Sequence, residues 1–138
     1  MTEDPGAPMP PTHRDSAGRF LQALRSMPHV FIHPEDTVDD LIALRQAFAD
    51  PGAYDRALGA IRERLARLSP RSPSGELRGP LKLWRKHVFA SGEPEATVGD
   101  DLRIVYRTTG DRTVEVLILG HRHLPRDIYA RANARLRP

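Results

Sequence analysis

Two apolar runs near the C-terminal end, Asp101-Leu-Arg-Ile-Val-Tyr-Arg107 and Arg112-Thr-Val-Glu-Val-Leu-Ile-Leu-Gly120, are separated by a segment containing Thr109, Gly110 and Asp111. β-Branched and other apolar residues recur in both runs, and Gly and Asp tolerate the positive φ values that a tight reversal demands, so the pair predicts an antiparallel hairpin. If the turn centres on Gly110 and Asp111, Arg103 lies opposite Ile118 and Arg122 follows about four residues on, roughly 13 Å at about 3.3 Å per residue. Two arginines at one sheet end can then reach a single anion.

Working outward, a helical pair precedes the hairpin. Val38, Leu41, Ile42, Arg45 and Phe48 recur at helical spacing in a helix expected to begin near Asp36 or Thr37 and to stop around Asp50-Pro51-Gly52. Tyr54, Leu58, Ile61, Leu65 and Leu68 mark a second stripe over Ala53 to Leu68. Before this pair, His29 to His33 reads as a short strand closed by Pro34. After it, Ser69 to Gly75 reads as a loop, Leu81 to Phe89 as a strand and Ser91 to Pro94 as a turn, and Ile128 to Leu136 as a short closing helix. The expected fold is α+β: a small antiparallel sheet packed against a two-helix hairpin, with a C-terminal helix and an N-terminal extension. Residues 1–27 read as a disordered leader plus a short helix from Asp15 or Ser16 to Met27, and residues 28–138 as the folded domain.

The 138-residue chain has no cysteine, which excludes disulfides and thiolate metal sites, and no apolar run long enough to span a bilayer. Met1 to Pro11 lacks the basic start and apolar middle of a signal peptide, so a cytoplasmic location is expected. Net charge is only +3, but residues 1–75 hold nine Arg against ten acids, whereas residues 76–138 hold twelve Lys plus Arg against eight. Clustered cations in the sheet-forming half suit phosphate binding. Nineteen of the 21 basic residues are Arg, a bias that a GC-rich genome would also produce.

Several segments together resemble the RelE/ParE superfamily of bacterial toxins from type II toxin-antitoxin systems. The strand at 29–33 followed by two helices resembles the family's opening, and Leu77-Arg78-Gly79 its "LRG" segment. Leu102-Arg-Ile-Val-Tyr-Arg107 resembles its "YRLVYQ" strand. Gly120-His-Arg122 with Tyr129, Ala132, Arg135 and Leu136 resembles its terminal "GKR…VY..A..RL" segment. The likeness covers roughly residues 28–138, with one additional residue between Arg122 and Tyr129 and a longer segment between Gly79 and Arg103.

The resemblance implies a cognate antitoxin as partner, the ribosome and messenger RNA as target, no cofactor and no metal. By it, Arg103, Arg122 and Tyr129 are candidate catalytic groups, with Arg85 and His87 as counterparts of a basic pair on the strand after "LRG", unless that strand is Glu95 to Val98. Arginine forks neutralise a pentavalent phosphate, while a phenol or imidazole moves protons. Lys82, Lys86, Arg107, His121, His123, Arg126 and Arg131 are expected to contact nucleic acid.

Each assignment has a plainer counterpart. Arg103 and Arg122 also suit a solvated sheet edge, Tyr129 and Trp84 suit core packing, and His121 with His123 has the spacing, though not the third ligand, of a metal pair. Two other functions fit the same pattern. A ParE-like inhibitor of DNA gyrase binds without cutting, and a non-catalytic RNA-binding regulatory module would pack its N-terminal 27 residues over the basic face.

Overall fold

The computed structural model describes residues 13–92 and 100–136. Four helices and a five-stranded sheet follow one another as α1 (His13–Arg25), β1 (Val30–Phe31), α2 (Pro34–Ala47), α3 (Pro51–Arg67), β2 (Gly75–Glu76), a 3-10 turn (Gly79–Leu81), β3 (Arg85–Phe89), β4 (Leu102–Thr108), β5 (Val114–His121) and α4 (Ile128–Arg135). The strand order is β1-β5-β4-β3-β2. Neighbours among β2 to β5 run antiparallel, whereas β1 joins β5 in parallel, so the expected α+β sheet of antiparallel strands carries one parallel edge.

Local chemistry sets the helix ends. Pro34 opens α2 rather than only closing the strand before it, because proline at a first turn lacks only a donor that would be orphaned anyway. Asp50 caps α3 by accepting from the Ala53 N–H, and Asp127 caps α4 by accepting from the Ala130 N–H. The α3 stripe of Tyr54, Leu58, Ile61, Leu65 and Leu68 is buried throughout. On α2, Val38 and Ile42 are exposed, and the inward face is Thr37, Asp40, Leu41, Leu44 and Phe48. Because apolar residues recur on more than one side of α2, its buried side is chosen by packing.

The hairpin forms, but its register differs from the turn-centred expectation. Arg103 pairs with Gly120, not Ile118. Thr109 donates its backbone N–H to Thr113, which makes the loop three residues long, and a bulge at Leu117 adds one more residue to β5. As a result Leu117 and Ile118 both point to one face. The strand expected at 81–89 is confined to 85–89, because Gly79-Pro80-Leu81 turns as a 3-10 segment. Gly75, expected to end a loop, pairs with β3 together with Glu76.

Two apolar clusters lie on the two sheet faces. Leu102, Ile104, Tyr106, Val114, Val116, Leu119 and Phe89 pack with Phe20 and Leu24 of α1, Leu41 and Leu44 of α2 and Ile61 and Leu65 of α3. On the opposite side Val105, Leu117 and Ile118 meet Leu81, Trp84, Ile128 and Ala132, with Tyr129 and Leu136 partly buried against them. Trp84 is thus core, covered by the Arg107 guanidinium 4.6 Å from its ring centre. α1 shares the helix layer, where Ser16 donates to Asp55 at 2.6 Å, and so it does not cover the α4 face. Of the leader expected at 1–14, residues 1–12 lie outside the described residues, as does the alternative strand at 95–98, whereas residues 13 and 14 already belong to α1, which ends at Arg25 rather than Met27.

Candidate functional site

Side-chain parity along the strands decides which candidates meet. On β4, Leu102, Ile104 and Tyr106 face the helix layer, so Arg103, Val105 and Arg107 face α4. Arg103 is 6% exposed. Its Nε donates to the Tyr129 Oη at 3.1 Å, and its Nη1 donates to the carbonyls of Asp100 (2.7 Å) and Leu102 (2.9 Å). The edge-charge reading of Arg103 therefore does not hold. Tyr129 does both things the sequence allowed: its ring packs on the second cluster while its oxygen meets the guanidinium.

Lys86 is the basic residue of β3 on this face, with Nζ 5.9 Å from the Tyr129 ring centre. Arg85 and His87, expected in its place, stand on the helix side of the sheet. Arg85 donates to Ser74, and the His87 Nδ1 lies 2.9 Å from the Pro73 carbonyl oxygen, with its ring 5.5 Å from Phe89. The clue was present in Phe89: a large apolar side chain destined for the main core shares parity with 85 and 87 and turns Lys86 the other way.

Gly120 allows the backbone turn that leads β5 toward α4. Its φ of +151° is a value that side-chain-bearing residues rarely adopt, and an added Cβ would sit 3.9 Å from both Ile128 and Arg131. Arg122 follows at the exposed sheet end, tied by its N–H to the Asp101 carbonyl (2.9 Å) and by its carbonyl to the Ile128 N–H (2.9 Å). Its backbone thus adjoins both the β4 entry and the start of α4.

The remaining basic candidates divide. Lys82, His123 and Arg126 are exposed. Arg107 covers Trp84 and pairs with Glu115 at 2.7 Å, and Glu115 also meets the His33 Nε2 at 2.6 Å; these two partners hold its carboxyl below the usual range against the opposing effect of burial. The His121 Nδ1 accepts the backbone N–H of His123 and of Leu124, both at 3.0 Å, so that nitrogen closes a turn. Burial, His123 and Arg103 push its pKa down despite Asp101.

Arg131 is not free for RNA. Its Nη2 donates to Asp40 at 3.1 Å, and Arg135 joins the same carboxylate at 2.7 and 3.0 Å. Asp40, which no sequence signal singled out, is 1% exposed. Burial raises its pKa to about 6 against the pull of Arg135, the Leu119 N–H and Arg131. An acidic residue among apolar ones on a helix's inward face was the available hint.

A family model described as the ParE toxin of the type II toxin-antitoxin system, parDE, matches residues 35–123. The chain belongs to that family. Lys86, Arg103, Arg122 and Asp40 of this ParE-family toxin fall inside the match, whereas Tyr129 and α1 lie beyond it. Neither a curated protein nor a solved structure gives a match. Membership makes the chain the toxin of a toxin-antitoxin pair, with a cognate antitoxin as partner. Among the described residues, no helix is long and apolar enough to cross a membrane.

Proposed function

We propose that this toxin is a ribosome-dependent endoribonuclease that cuts messenger RNA in the A site. The observation that carries the reading is the 3.1 Å contact between the Arg103 Nε and the Tyr129 Oη on a face that also presents Lys86, beside the sheet end where the backbone of the exposed Arg122 adjoins the start of α4. The 2′-hydroxyl attacks the adjacent phosphorus and the bond to the 5′-oxygen breaks, leaving a 2′,3′-cyclic phosphate and a 5′-hydroxyl. Tyr129 gives its proton to the departing 5′-oxygen, and the Arg103 N–H stabilises the phenolate left behind. The 2′-hydroxyl proton passes to an acceptor of the ribosomal complex.

Burial gives the two arginines different parts. Arg103, occupied by two carbonyls and the phenol, supports Tyr129 rather than the phosphate. The more accessible Lys86 and Arg122 neutralise the charge that builds on the phosphoryl oxygens. Translation in vitro with defined messages should then yield A-site cuts that disappear in Lys86→Ala and Arg122→Ala.

A second reading, inhibition of DNA gyrase by binding, is favoured by the family description and by a site whose central arginine is already satisfied within the protein. Inhibited supercoiling together with intact message would establish it and dismiss the nuclease.

A further inference from the structure

Among the described residues Asp40 is the least exposed of the carboxylates, lysines, arginines and histidines, and the cleavage chemistry gives it no part. Its two oxygens accept four N–H groups: Leu119 N at 3.1 Å, Arg131 Nη2 at 3.1 Å, and Arg135 Nη1 and Nη2 at 3.0 and 2.7 Å. Arg135 also donates to the carbonyls of Leu117 (3.0 Å) and Asp36 (3.2 Å). β1 pairs only with Val114 and Glu115, so beyond them the outer edge of β5 is completed by this carboxylate and this guanidinium instead of a strand.

The same atoms hold α4. That helix has eight residues, too few to be stable alone, and only Ile128 and Ala132 are fully buried in it. Arg131 and Arg135 stand one turn apart on one side of it and converge on a single fixed carboxylate, which constrains both the axis of α4 and its rotation. Tyr129 projects from the same two turns. A tyrosine oxygen lies roughly 9 Å from a helix axis whose backbone radius is about 2.3 Å, so a rotation of about 10° moves it about 1.5 Å. A shift of that size breaks a 3.1 Å bond.

We propose that Asp40 is the positioning residue of the site: by clamping Arg131 and Arg135 against the edge of β5 it fixes the rotation of α4, and with it the placement of the Tyr129 phenol on Arg103. Only the activity arm of its test rests on the endoribonuclease reading. Asp40 reaches no substrate. It acts through a helix.

The test uses the full chain carrying Asp40→Asn, with Arg135→Lys as a second variant that keeps a cation but loses the fork should the first fail to fold. In hydrogen exchange, the amides of residues 128–135 should exchange at least tenfold faster than in wild type while those of β4 keep their protection. In 15N NMR, the Arg103 Nε–H resonance should move toward its position in Tyr129→Phe. On saturating programmed ribosomes, cleavage should slow about 100-fold, the usual cost of a misplacement near 1 Å, with little change in KM. Adding Asp40→Asn to Tyr129→Phe should then cost almost nothing further. Unchanged protection of α4, an unmoved Arg103 resonance, or losses that multiply in the double variant would each overturn the proposal. If wild type cuts no message, the nuclease reading fails, and the exchange and NMR results still decide the clamp.

Discussion

Tyr129→Phe and Arg103→Ala remove the two ends of one 3.1 Å bond, and the surroundings make their consequences unequal. Phenylalanine keeps the ring, its packing on the second cluster and the Lys86 contact, and loses one acceptor for a charged donor. That loss costs about 2 kcal/mol. With an unfolding entropy of about 2.1 cal/mol/K per residue over this chain, Tm should fall by about 7 °C. Arg103→Ala also strips donors from the carbonyls of Asp100 and Leu102 and empties space beside Val88 and Gly120, its cross-strand neighbours. Its cost should be about 3 kcal/mol, or roughly 10 °C. If the phenol transfers a proton, Tyr129→Phe should nevertheless slow cleavage by about 10²–10⁴-fold. A protein that is still folded by several kcal/mol cannot lose activity to that extent by unfolding. Calorimetry beside a programmed-ribosome assay separates the two effects. Cleavage by Tyr129→Phe at the wild-type rate, or a Tm loss as large as that of Arg103→Ala, would refute the division of roles.

Three further outcomes follow from other contacts. His121 has a folded pKa below its unfolded value of about 6.5, so its contribution is complete above that pH and is lost as pH falls toward the folded value; the contribution of Glu115, also depressed, is complete above about 4.5 and is lost only at lower pH, outside this range. His121→Asn keeps an acceptor near the Nδ1 position without titrating, so the stability difference between wild type and this variant, from denaturant midpoints, should shift against wild type between pH 7 and 5, and a pH-independent difference would contradict the turn-closing role. Arg107→Ala uncovers Trp84, the single tryptophan, and leaves Glu115 with His33 alone; emission should shift to the red with a loss of about 1 kcal/mol, and unchanged emission would mean that the ring is shielded by other groups. Gly120→Ala meets only ordinary contacts at 3.9 Å, so its expected cost of about 1–2 kcal/mol comes from the backbone conformation, and a variant as stable as wild type would show that β5 relaxes at no cost.

Much of the fold was legible because periodicity records which residues share a face. The α3 stripe, the hairpin and the short closing helix follow from spacings of 3.6 and 2 alone, and the charge asymmetry marks the sheet half as the basic one. The Arg103–Tyr129 meeting was visible only through resemblance, since 26 residues separate the two in sequence. Periodicity is silent on which layer a face looks at. Arg85 and His87 have the right spacing and the wrong side, and α2 could have buried Ile42 as readily as Leu44 until α3 and β5 chose.

The chain by itself determined its elements, because caps, turns and apolar spacing act between neighbours. Tertiary structure alone decided the register of Arg103 with Gly120, set by a bulge whose residue looks like any other leucine, and the fate of Arg131 and Arg135. Their carboxylate partner lies 91 and 95 residues away. A buried charge is stabilised by whichever donors surround it in space, and no local pattern encodes a neighbour that distant.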